Sequence, residues 1–158
     1  MPLLAIIRIR GTVDTPKDVE DTLKMLRLTR KFTCVLYPST LPGISGMLKK
    51  VQGWVTWGEI DKDTLVELLA KRGRTPGNRR LTSSYLKDKL NIDSIESFVD
   101  KLISGDLMLH KIDNVVKPVF RLHPPKGGFK GTIKRMYGYK GELGYRGKEI
   151  NDLLRKMI

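Results

Sequence analysis

Between His123 and Lys148 the chain alternates cations with glycine and tyrosine. Lys126, Lys130, Lys134, Arg135, Lys140, Arg146 and Lys148 are separated by Gly127, Gly128, Gly131, Gly138, Gly141, Gly144 and Gly147. Glycine lets a backbone come close to a phosphate and take turns that side chains forbid. Lys and Arg neutralise phosphates and release their counterions. Tyr137, Tyr139 and Tyr145 can stack on unpaired bases or pack on riboses. The chemistry of this stretch is therefore recognition of a single- or irregularly paired nucleic acid. The competing reading is a solvated flexible tail. The interleaved aromatics and the helical pattern after Lys148 weigh against it.

Further cations sit outside the arm. Arg8 and Arg10 are two apart at the end of an apolar run, which puts both on one face of a strand. Arg30 and Lys31 follow the first helical stretch, where Arg27 equally suits the helix macrodipole. Lys49 and Lys50 lie on the polar side of the second. Arg74, Arg79 and Arg80 frame Pro76-Gly77 in a basic loop. Each of these is a candidate RNA contact, with a solvated surface as the competing reading; Arg30 and Lys31, beside a loop, favour RNA over it.

Catalysis finds little support. His110 and His123 are the only histidines and Cys34 the only cysteine, so these residue types alone make no zinc set. His110 falls in an apolar stretch and is expected in the core or at its edge. Gly43-Ile44-Ser45-Gly46 opens a helix and is no nucleophile elbow. Gly11 stands alone after the first strand, so no dinucleotide or P-loop fingerprint is present. No catalytic residue, metal or cofactor is expected. An acylphosphatase-like enzyme would need an anion-cradling loop after the first strand, and Arg10-Gly11-Thr12-Val13 is a faint echo of one.

The bulk composition points the same way. Net charge is +13 over 158 residues, with a pI of about 10.0. Self-repulsion of that size favours a polyanionic partner. Nucleic acid comes first, an anionic membrane surface second and an acidic substrate third. Residues 121–158 carry ten Lys/Arg against Glu142, Glu149 and Asp152. A quarter of the chain thus holds over half the excess, as in a folded domain with a basic arm. No segment has the length and apolarity to span a bilayer. A cytoplasmic protein with no membrane and no small-molecule substrate is the expectation.

The elements that must position these cations follow from periodicity. Leu3 to Ile9 reads as a central strand. Thr15, Pro16 and Asp18 predict an N-cap, a first helical position and a capping-box acid, for a helix running to about Arg30. Phe32–Tyr37 and Trp54–Trp57 read as strands around a helix from Leu41 to Val51. Asp61, Thr82 and Ser94 each precede an apolar helical stripe and predict caps. Leu107–Ile112 and Val115–Leu122 read as two returning strands. The arm has too few apolar positions for a core of its own, and is expected to order on its partner. Lys148 to Ile158 is helical again and would pin the arm at both ends.

Several of these residues resemble a known family. Thr22-Leu23, Leu26-Arg27-Leu28, Pro42-Gly43, Gly46-Met47-Leu48, Lys50-Val51 and Val55 resemble the universal large-subunit ribosomal protein family L-thirty. Trp57-Gly58-Glu59, Pro125-Lys126-Gly127-Gly128 and Gly144-Tyr145-Arg146-Gly147-Lys148-Glu149-Ile150-Asn151 are similar to its long archaeal and eukaryotic form, with Tyr145 where the family often has Asn. The length, without a basic N-terminal extension, looks archaeal. The resemblance implies an α+β fold: a ferredoxin-like split β-α-β sandwich core over 1–60, a helical insertion over 61–106, returning strands over 107–122 and a basic C-terminal arm over 123–158. It implies a non-enzymatic constituent of the large ribosomal subunit, seated on 23S-type rRNA near the 5S rRNA and beside neighbouring ribosomal proteins. A free RNA chaperone or rRNA-processing factor is the alternative that sequence physics does not separate from it.

Overall fold

A computed structural model describes residues 3–158. The fold is α+β: one six-stranded sheet, in the order β4-β2-β1-β3-β6-β5, with helices on both faces. Its strands are β1 (Leu3–Arg8), β2 (Thr33–Pro38), β3 (Val55–Glu59), β4 (Val119–Arg121), β5 (Thr132–Met136) and β6 (Gly141–Tyr145). Its helices are α1 (Lys17–Met25), α2 (Ile44–Val51), α3 (Lys62–Arg72), α4 (Ser83–Leu90), α5 (Ile95–Ser104) and α6 (Ile150–Met157).

β1 is central, antiparallel to both β2 and β3. Successive side chains of a strand point to opposite faces, and here both faces are covered. Leu3, Ala5 and Ile7 join Cys34, Leu36 and Phe120 beneath α3, α4, α5 and α6. Leu4 and Ile6 join Val35, Tyr37 and Val55 beneath α1 and α2. This is why β1 is continuously apolar rather than alternating.

The caps behave unevenly. Asp61, Thr82 and Ser94 accept the backbone N–H of Thr64, Tyr85 and Ser97. Thr15 does not cap α1; its hydroxyl turns back to the Gly11 carbonyl at 3.3 Å, and Pro16 takes the cap position. α1 also stops at Met25 rather than near Arg30, because Arg27 adopts a left-handed φ of 66°. That turn brings Leu26 and Leu28 into the core, which a continued helix could not do.

The returning segment departs further from expectation. Leu107–Ile112 is no strand: Leu109–Lys111 forms a 3-10 turn, and only Val119–Arg121 of the second stretch pairs, with β2. The arm departs in the other direction, since it supplies two strands of the sheet. β6 pairs in parallel with β3, and β5 with β6 through an interrupted register. Leu143 enters the core, with Ile133 and Met136 packed against it.

Candidate nucleic-acid interface

Two of the candidate cations are scaffold. The Arg8 guanidinium lies on the α1 side of β1 and is 1% exposed. It donates through Nη1 to the Leu28 carbonyl at 2.7 Å and through Nε to the Arg10 carbonyl at 2.9 Å. Burial pulls its pKa below the ordinary value, offset in part by Glu20. With Tyr37, whose hydroxyl donates to the Leu26 carbonyl at 3.1 Å, it fastens the turn after α1. Direct RNA contact by Arg8 is thus corrected: a strand covered on both faces leaves no solvent for its side chain.

Arg146 is the second. Its Nε donates to the Thr56 hydroxyl at 2.7 Å, and its Nη2 to the Glu142 carbonyl and carboxylate at 2.6 and 2.7 Å. The other Glu142 oxygen accepts the Gly131 N–H at 2.8 Å, and Thr56 donates to the Gly144 carbonyl. Tyr137 lies over the guanidinium at 4.8 Å. One buried ion pair therefore ties β3, β6 and the start of β5 together. A buried charge pair stands only where its remaining donors and acceptors are also satisfied, and here the backbone and the Thr56 hydroxyl supply them.

The arm is seated by close approach as well. Gly58 of β3 faces the Gly147 carbonyl so closely that a Cβ would collide with it. Asn151 donates to the Glu59 and Lys148 carbonyls and accepts the Asp61 N–H at 2.9 Å. Trp57-Gly58-Glu59 and Gly144–Asn151, far apart in sequence, thus meet. Tyr145 completes the contact: its hydroxyl donates to Glu59 at 2.6 Å, which raises the phenol pKa, and its ring leans on Trp57.

The remaining candidates face outward. Arg30, Lys31, Lys49, Lys50, Arg79 and Arg80 are exposed, as are Lys126, Lys130, Lys134, Arg135, Tyr137, Tyr139, Lys140 and Lys148. Arg10 and Arg74 are half-buried; Arg10 donates to the Gly53 carbonyl and lies over Trp54. Lys31 lies over Phe32, which stacks on Phe129 of the arm. Of all these cations only Lys50 meets a carboxylate among the described residues, Asp18 at 3.9 Å. An exposed pair at that distance is worth little, so the surface charge stays uncompensated. Beneath the arm a cleft of about 600 Å³ runs between Lys130, Tyr137, Lys140 and α6.

Some features escaped sequence reasoning. Arg72, Lys117 and Arg121 converge on Arg74 at the β4 edge; their separation in sequence gave no signal. Arg8 did have one, the unbroken apolarity of its strand. No group of three or more His, Cys, Asp or Glu residues placed to hold a metal ion occurs among the described residues.

Residues 4–55 match the family model described as ribosomal protein L30p/L7e. The chain is 61% identical over 163 residues to the large ribosomal subunit protein uL30 of Hyperthermus butylicus, covering 99% of this chain and 90% of that one. This chain belongs to that family. It is 55% identical to the protein of the same name from Desulfurococcus amylolyticus, covering 99% and 98% of the two chains. The relative from Aeropyrum pernix is 50% identical over the full length of both. The likeness therefore extends past the core through the helical insertion and the arm, as the long form requires.

Proposed function

We propose that this protein is a structural constituent of the large ribosomal subunit that binds rRNA of the 23S type, beside the 5S rRNA and neighbouring ribosomal proteins, in the cytoplasm. It performs no catalysis in this reading. The observation that carries it is the outward set of uncompensated cations on an arm that adds two strands to the sheet, in a chain whose full-length relatives are named large-subunit proteins. Arg30, Lys31, Lys49, Lys50, Arg79 and Arg80 meet phosphates from the core side. Lys126, Lys130, Lys134, Arg135, Lys140 and Lys148 do so from the arm, and Tyr137 and Tyr139 lie against bases or riboses. Arg10 and Arg74 reach the same RNA from half-buried positions. Arg8 and Arg146 hold the frame. Such recognition is of shape and phosphate more than of sequence.

The test is binding of the full chain to rRNA fragments across a salt series. The logarithm of the affinity falls steeply and linearly with the logarithm of salt concentration, because each neutralised phosphate releases counterion. An affinity insensitive to salt would overturn the reading.

A further inference from the structure

Three chain segments meet at the β4 edge of the sheet. α3 ends there with Arg72, the loop after it carries Arg74, and Lys117 and Arg121 flank and belong to β4. With Asn78 and Val119 they line a cleft of about 190 Å³. The loop is a tight reversal. Arg74 bridges Arg80, the Thr75 N–H donates to the Arg79 carbonyl at 2.8 Å, and Gly77 and Asn78 turn the chain at φ 103° and 64°. The Lys117 N–H donates to the Arg74 carbonyl at 2.8 Å, which locks the β4 segment to the loop. Arg74 itself is aimed by its Nη1 bond to the Gly73 carbonyl at 2.9 Å.

No ion pair among the described residues includes Arg72, Arg74, Lys117 or Arg121. Three of the four are half-buried. The negative end of the α3 dipole favours Arg72 and Arg74, but Lys117 and Arg121 arrive from another segment and add their charge to the same cleft. Partly desolvated cations crowded together without a carboxylate are repelled until an anion enters. Arginine forks suit the oxygens of a phosphodiester.

β4 and β5 are opposite edges of the sheet. Five strand spacings of about 4.8 Å put them on the order of 24 Å apart. The cleft is therefore separate from Lys134, Arg135 and Lys140 around β5. We propose that it is a second phosphodiester site, and that the protein joins two separate RNA segments across the width of its sheet. This rests on the rRNA-binding reading above and deepens it.

The test uses the full chain and in vitro transcribed 23S-type rRNA of its own organism. One variant carries Arg72→Gln, Lys117→Gln and Arg121→Gln; a second carries Lys134→Gln, Arg135→Gln and Lys140→Gln. Hydroxyl-radical footprinting and a salt series are read for both. The parent protein protects two separated RNA segments. Each variant loses one of them, binds at least about 10-fold more weakly, and lowers the salt slope by about 2, three phosphates at roughly 0.7 each. If the cleft variant melts early, Arg121→Gln alone, at the exposed strand edge, carries the test with a slope change of about 0.7. A cleft variant that keeps the parent's affinity, slope and footprint while the arm variant weakens overturns the bridge and leaves the rRNA reading standing. Two variants that both bind as the parent does overturn both.

Discussion

β1 and β6 lie in the same sheet with only β3 between them, and they are held by opposite means. β1 is LLAIIR, apolar as far as Ile7, with Arg8 buried at its end, and roofed by helices on both faces. β6 is GELGY, with one buried apolar side chain, Leu143, and its other buried positions are filled by backbone and by the Glu142–Arg146 pair. The first strand is fixed by area removed from water, which is non-directional. The second is fixed by a few directed bonds. A strand of the second kind can border a surface dense in like charge, because its interior needs no broad apolar cover. Loss of those bonds is expected to release it without unfolding the rest.

The largest expected effects set the two modes side by side. Phe98→Ala empties a fully buried position on the inner face of α5, within the helical insertion, and costs about 3–5 kcal/mol; denaturant unfolding shows the whole sheet losing stability together. Arg146→Ala leaves Glu142 buried and unpaired, also at about 3–5 kcal/mol, but the loss stays local. Limited proteolysis then cuts after Leu122 while the β1–β3 core keeps its protection. Equal exposure of core and arm in that variant would erase the distinction.

A smaller effect probes the seam between them. Gly58→Ala pushes a methyl into the Gly147 backbone. Overpacking of this sort costs about 1–3 kcal/mol. Because the obstacle is backbone, the arm and α6 shift rather than a side chain. Hydrogen exchange rises in β6 and α6 and stays unchanged in β1.

Cys34 supplies a probe confined to the core. It is buried in β2, and loss of solvation pushes its thiol up to about 12 from an ordinary 9.0. The raised pKa means the folded chain holds its proton longer than the unfolded chain. Stability from this group is intact below about pH 9 and is lost as pH rises from there to about 12. Alkylation at pH 8 therefore follows opening of the core, and Arg146→Ala accelerates it far less than Phe98→Ala does. Smallest of all, Asp61→Ala removes one cap bond from α3 and lowers the melting midpoint by the few degrees that about 1 kcal/mol brings.

What the sequence disclosed follows the same division. The β1–α1–β2–α2–β3 order, the helical insertion and the caps at Asp61, Thr82 and Ser94 were legible because they rest on local periodicity and local bonds. Thr15 misled because a cap-like pattern does not fix which backbone group the hydroxyl finds. Leu107–Ile112 looked strand-like by composition, yet only three residues of the following stretch find a partner on β2. β5 and β6 were hidden because Thr56 and Arg146, 90 residues apart, make the bond that holds them. The basic character of the arm was plain from residue types, but the inward turn of Arg146 was not. For Arg8 the clue lay in the strand itself, since a run apolar on both faces commits its last residue to the interior too.

In the function proposed above, the outward cations of the arm and core hold this chain to the large subunit. Sucrose-gradient fractionation of cell extract at high salt measures that directly. The protein is expected at close to one copy per large subunit, and the variant with Lys134→Gln, Arg135→Gln and Lys140→Gln is expected to shift toward the top of the gradient as salt rises. Recovery of the unaltered protein chiefly in the free fractions, or in amounts far below one per subunit, would contradict it.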